Sequence, residues 1–293
     1  MSLPTPYDGS SRLFQIGLRP LDPAEWIDVD GTLAAQLAEK NRVLETHPAE
    51  TFAAEPGTED AQRELLNLLA DHLPHRFPEV YRRDGDCIAI RPSGDKIDLG
   101  ADLPPLLTAA RLVAEDLVIL RKGEAGWRLV AAALAFPSSW VLAEKFGRPM
   151  HEIHGPVPGF GAGTRSAQLI ERMFDNMRAE TPMIRWNWSL YGDDRLYHPE
   201  VSGPDIRRFG ADMANIFLRV ERQTLRRLPL GGDIVFTIRI HVDPLAALEA
   251  QPEAGRIATA LAEQLLALDA AQLGYKGLTL ERDRLVARLR RIG

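Results

Sequence analysis

Residues 215–244 read NIFLRVERQTLRRLPLGGDIVFTIRIHVDP, two strand-like runs either side of PLGGD. In the first run, two-residue alternation puts Ile216, Leu218 and Val220 on one face and continues that row with Arg222. In the second, Ile234, Phe236, Ile238 and Ile240 share a face, with Thr237, Arg239 and His241 opposite. A proline and two glycines between such runs suit a hairpin connection, so the stretch predicts an antiparallel pair. Arg222 is the anomaly in it. An inward-pointing guanidinium keeps its charge and must find an anion or a strong acceptor, unless a bulge turns it out to solvent.

Strand texture continues on the N-terminal side. MIRWNWSLYGDD, residues 183–194, sets Ile184, Trp186, Trp188 and Leu190 on one face, and DLVILRKGEAGWRLVAAALAFPSSW, residues 116–140, predicts two strands around Lys122-Gly123-Glu124. DCIAIRP and DKIDLG are shorter β-like pieces. Helical spacing frames these runs. Leu33, Leu37 and Leu44 follow a capping Asp30; Leu65, Leu68, Leu69 and Leu73 follow Thr58 and Asp60 and stop at Pro74. Ile170, Met173, Phe174 and Met177 follow Thr164 as N-cap, and Ile257, Leu261, Leu265 and Leu268 precede LERDRLVARLRRIG. The pattern predicts one α+β domain over residues 1–293, with helices first, an antiparallel sheet in the middle and helices last.

The composition narrows the function. With 35 Lys+Arg against 41 Asp+Glu the net charge is −6, which offers no basic footprint for nucleic acid. Cys87 is the only cysteine, which excludes an internal disulfide, a four-cysteine zinc site and an iron–sulfur cluster with all-protein thiolate ligation. No apolar run reaches the roughly 18–20 residues that span a bilayer, and the N-terminal stretch has no apolar leader core. These features predict a cytoplasmic protein with neither nucleic-acid nor membrane partners.

Chemistry-bearing residues concentrate in a few places. Residues 144–166, EKFGRPMHEIHGPVPGFGAGTRS, hold His151 and His154 and, after them, two prolines and four glycines. His154 stands directly before Gly155-Pro156-Val157-Pro158, a stiff backbone with room for close approach, which suits a rigidly held ligand; a loop histidine bonded to a carbonyl is the plainer reading, and His151 is the competing ligand. HEIH is one residue short of the zincin spacing. His47, His72, His75 and His241 read as surface residues. Trp186 and Trp188 read as core, or as faces on which a flat ligand or an alkylammonium could stack. Asp193, Asp194, Tyr197, His198 and Glu200 form an acidic turn. No P-loop, nucleophile elbow or dinucleotide fingerprint is present.

Four long strings, GWRLVAAALAFPSSW, IHGPVPGFGAGTRS, RWNWSLYGDDRLYHP and RVERQTLRRLPLGGDIVFTIRIHVDPL, resemble those of the haem-dependent oxidative N-demethylase α-subunit family. The likeness runs from about residue 14 to the C-terminus. It implies a PAS-like antiparallel sheet that binds haem b, and an enzyme that oxidises a secondary methylamine such as dimethylamine with dioxygen to a primary amine and formaldehyde. Electrons would come through FMN, a 2Fe–2S cluster and NADPH on partner subunits, with tetrahydrofolate bound there too. On this resemblance His154 is the axial ligand to the iron, Gly155 and Gly159 let the macrocycle lie close, and Arg165 pairs with a propionate. Arg222 is the distal donor to dioxygen, and Glu200, Tyr197, Trp186 and Trp188 receive the amine. The alternative is a haem-PAS module that senses a gas or simply holds haem.

Overall fold

The computed structural model describes residues 4–200 and 208–292. The hairpin forms as the alternation predicts: Phe217–Arg227 pairs antiparallel with Ile234–Pro244, in continuous register from Arg227↔Ile234 to Phe217↔Pro244. The turn is closed by Leu228 N–H donating to the Asp233 carbonyl at 2.8 Å, and Gly232 sits at φ +76°, where a side chain would be strained. Glu64 accepts from the N–H groups of Leu230 and Gly231 at 2.6 and 2.8 Å, pinning the turn to a helix.

Ten strands form two sheets. They are β1 (Arg19–Pro20), β2 (Phe52–Ala54), β3 (Tyr81–Asp84), β4 (Cys87–Ile90), β5 (Asp95–Asp98), β6 (Asp116–Gly123), β7 (Gly126–Ala133), β8 (Met183–Tyr191), β9 (Phe217–Arg227) and β10 (Ile234–Pro244). The main sheet runs β1-β8-β9-β10-β6-β7-β2, and β3-β4-β5 make a small separate one. With its helices this is an α+β fold.

One face of the main sheet carries two helical groups. Leu117, Ile119, Val130 and Val235 pack against helices Leu33–Thr46, Glu59–Arg76 and Pro105–Ala110. Leu218, Val220, Trp188 and Leu190 pack against helices Ala254–Leu266 and Arg282–Leu289. The opposite face, with Val118, Leu120, Leu225, Ile234, Ile238 and Ile240, is met by the segment between β7 and β8, which contributes Leu142, Phe160, Ile170 and Phe174. Helix Arg165–Asp175 in that segment starts, as read from the sequence, with Thr164 accepting from Ala167 N–H.

Three local expectations are corrected. Helix Glu59–Arg76 runs through Pro74, which falls in its last turn, where one lost backbone bond is tolerable. Thr237 and Arg239 are fully buried, because β10 is a central strand covered on both faces. His241 is not a surface residue either: its ring lies 3.1 Å from Asp28 and 3.8 Å from Asp30.

Candidate functional site

The opening loop of the β7–β8 segment makes one helical turn, Met150–Ile153, started by Pro149 and capped by His154, whose N–H donates to the Met150 carbonyl at 2.9 Å. The chain then doubles back: Gly155 N–H meets the Glu152 carbonyl, and a Cβ on Gly155 would stand 3.0 Å from that oxygen. Gly155 is therefore needed by the turn itself. The His154 ring packs edge-on to Phe160, centroids 6.1 Å apart, and no hydrogen bond holds either ring nitrogen among the described residues.

The sheet beneath has an unusual pleat. On β8 the residues Ile184, Trp188 and Leu190 are buried, whereas Met183, Arg185, Asn187 and Ser189 of the other face are all partly exposed. Their cross-strand partners on β9 are Leu225, Gln223, Glu221 and Arg219, which point to the same side. Phe236 of β10 lies on that face and is also only partly buried. A polar floor with an apolar rim thus opens in the middle of the sheet, on the side His154 approaches. Lys145, stacked on Trp140 at 4.2 Å, approaches the same floor, and Lys276 reaches it from the C-terminal helices, donating to Asn187 Oδ1, the Trp188 carbonyl and Ser189 Oγ.

Electrostatics distinguish the groups here. Burial pushes the His154 imidazole down to about 4, with the charges of Lys145 and Arg185 acting in the same direction, so the ring is neutral at pH 7. Burial likewise brings Lys145 down to about 8, partly offset by Glu221 and Glu144, and Lys276 down to about 8, offset first by Glu221. Arg185 makes no hydrogen bond among the described residues, its Nε is sealed from solvent without a partner, and burial pushes its pKa down; a guanidinium nonetheless stays charged. Four cations, Lys145, Arg185, Lys276 and Arg219, act on one carboxylate, Glu221.

Of the residues singled out from sequence, His154 alone lies over this floor. Arg222 does point inward, without a bulge, but it pairs with Trp186 on the opposite face of the sheet. Its Nη1 donates to the Trp26 carbonyl at 3.1 Å and its Nη2 to the Glu25 carbonyl, so its donors are spent on backbone oxygens of the N-terminal segment, and the expectation that it serves as a distal donor beside His154 is corrected. Trp186 and Trp188 share that far face; Trp188 is core, edge-on to Tyr7 at 6.2 Å. Arg165 is exposed at the start of its helix. Tyr197 stacks on His47 at 4.8 Å, and Glu200 is exposed, 3.3 Å from Arg195 and 3.5 Å from His198. That cluster is tied to the His154 side by Arg219, which donates to the carbonyls of Arg195 and Leu196, but it lies beyond the strand end. His72 is also partly buried, edge-on to Trp26.

Sequence reasoning missed Lys145, Arg185, Glu221, Gln223 and Lys276. For Arg185, Glu221 and Gln223 the available signal was that β8 and β9 each alternate apolar with charged or amide residues, which marks a polar face of the sheet; Lys145 and Lys276 reach it from outside the strands.

An imidazole standing alone can ligate a metal only if something other than protein fills the remaining positions, and no group of three or more His, Cys, Asp or Glu able to hold a bare ion exists among the described residues. The neutral ring, the unpartnered Arg185 Nε and the surplus of cations fit a protein that takes a large anionic metallocofactor on its sheet. The family model of haem-dependent oxidative N-demethylase, alpha subunit-like proteins matches residues 17–286, and the chain belongs to that family. It is a haem-dependent enzyme of the oxidative demethylase kind, and an alpha-subunit-like member implies further subunits. No helix among the described residues is long and apolar enough to cross a membrane.

Proposed function

We propose that this chain is the haem-carrying subunit of a cytoplasmic amine demethylase that oxidises a secondary methylamine such as dimethylamine to a primary amine and formaldehyde. Haem b, when bound, supplies the iron that activates dioxygen for oxidation of the N-methyl group. His154 would hold the iron through a neutral imidazole nitrogen, directed by the Met150–Ile153 turn and braced by Phe160. Arg185 and Lys145 would supply positive donors to the anionic groups of the cofactor, in the part that the resemblance gave to Arg165. The partly exposed rim, including Phe236 and Met183, excludes water once covered. Electrons are delivered by FMN, 2Fe–2S and NADPH on partner subunits, which also bind tetrahydrofolate.

The observation that carries this reading is the half-exposed face of β8, with an unpartnered buried guanidinium set opposite a neutral histidine. The order of the five central strands supports a PAS-like arrangement: numbered by their own appearance they run 3-4-5-1-2 across the sheet, with the His154 segment inserted between the second and third. Reconstitution with haem b tests it. Wild type and His151→Ala should develop a Soret band and His154→Ala should not; a full band in His154→Ala, or none in wild type, refutes the assignment.

A further inference from the structure

Glu221 stands apart from every other carboxylate near the site. It lies at mid-strand on β9, only 8% exposed, directly opposite Asn187 on the floor below His154. Its Oε2 accepts from Gln223 Nε2 at 2.6 Å, whereas Oε1 accepts nothing from the described residues and is not sealed from solvent. Lys145, Arg185 and Lys276 act on it through space, yet none forms an ion pair with it. Lys276 is held by three acceptors of β8. Asp193 and Glu200, by contrast, share Arg195 outside the strand end.

A carboxylate in this position, bonded to Gln223 through one oxygen and with the other open to the cleft, is an acceptor for a small cationic donor. Gln223 spends an N–H on Glu221 and so keeps its amide oxygen as a second acceptor beside it. Resting on the demethylase reading above, we propose that Glu221 Oε1, together with the Gln223 amide oxygen, binds the protonated secondary amine through its two N–H groups. An alkylammonium is charged at neutral pH, as the lysine side chain is, and two N–H donors match two adjacent acceptors. Quaternary ammonium has the charge without the donors, and an ether of the same shape has neither.

Calorimetric titration with dimethylammonium chloride tests the pairing, on haem-free as well as haem-loaded protein, alongside tetramethylammonium and dimethyl ether. Losing one charge-assisted hydrogen bond should raise the dissociation constant about 10- to 100-fold in Glu221→Gln. Gln223→Leu should give a smaller rise, of about 5- to 10-fold, as expected for a neutral acceptor. Wild type should favour dimethylammonium over tetramethylammonium, and the preference should vanish in Glu221→Gln, while dimethyl ether is unaffected. A normal Soret band and CO difference spectrum in the variant report an intact site. Unchanged dimethylammonium affinity in Glu221→Gln overturns the proposal, and so does an equal loss of ether binding. Absence of a Soret band in wild type would instead refute the haem assignment, and the haem-free titration still reads Glu221 alone.

Discussion

Replacing Arg185 by Met should stabilise the haem-free protein and shrink the stabilisation that haem confers. The guanidinium makes no hydrogen bond among the described residues and its Nε is shut away from solvent, while Met retains most of the aliphatic stem. A buried donor left unpaired costs about 1–3 kcal/mol, and because the residue is partly exposed the lower end applies, about 1 kcal/mol. For a chain of this size that is a rise in Tm of about 2 °C. In the loaded protein the guanidinium gains an anionic partner worth about 1.5–3 kcal/mol, so the haem-induced rise in Tm should be smaller in the variant by about 3–6 °C. Differential scanning calorimetry on both forms, run in parallel with wild type, measures the two shifts. If haem-free Arg185→Met melts several degrees below wild type, the guanidinium is a structural donor and its lack of a partner has been misread. If haem raises both proteins equally, Arg185 does not meet the cofactor.

Four further outcomes follow from the same geometry. His154 and His72 both titrate near 4 instead of 6.5. The unfolded chain therefore binds protons that the folded state refuses, and stability present above pH 6.5 is lost as pH falls toward 4; urea midpoints against pH should show a shallower acid limb in His154→Phe, and an unchanged slope would count against the burial argument. Lys145 loses its charge as pH rises through about 8, so haem transfer to apomyoglobin should speed up above that pH, and Lys145→Arg should suppress the effect. Arg222→Leu strands the Glu25 and Trp26 carbonyls and should cost about 1–3 kcal/mol in urea unfolding, yet leave the Soret band and amine affinity as in wild type. Spectral loss in a folded Arg222→Leu protein would return that residue to the pocket. Arg219→Ala removes a buried guanidinium bonded to Ser138 and to four backbone carbonyls, and should destabilise by about 3–5 kcal/mol, read from the shift in urea midpoint.

The sheet was legible because alternation is a local property: the rows Ile184-Trp188-Leu190 and Ile216-Leu218-Val220 fall on one face in the structure as they do in the sequence. Which rows meet the reactive loop was not legible, because that depends on strand order and on where the β7–β8 segment crosses the sheet. Arg222 attracted attention as a charge on an apolar row, and it is indeed buried, but the row it continues is the one covered by helices. Its acceptors are carbonyls at the end of the Pro23–Glu25 turn, contacts 196 and 197 residues away in sequence that no periodicity could indicate. His154 drew attention because prolines and glycines constrain its backbone, a signal independent of topology. The close approach that Gly155 permits within the chain is that of the Glu152 carbonyl.

The two faces of β9 show why the arginine that looks buried in sequence and the arginine that is free for chemistry are different residues. Arg222, Thr224 and Arg226 face the helices, where Arg222 takes two carbonyls, Thr224 takes the Thr237 hydroxyl at 2.6 Å and Arg226 lies over the Trp26 ring at 4.5 Å. Glu221 and Gln223, with Arg185 across the pair, face a segment that turns sharply at Gly155 and leaves the floor partly uncovered. Buried nitrogens without a partner also occur on Arg226 and Arg239 of the helix-covered face. What sets Arg185 apart is the partly uncovered floor on which it lies, beside a histidine kept neutral by burial, and on the demethylase reading proposed above that floor is where a partner would arrive with the ligand.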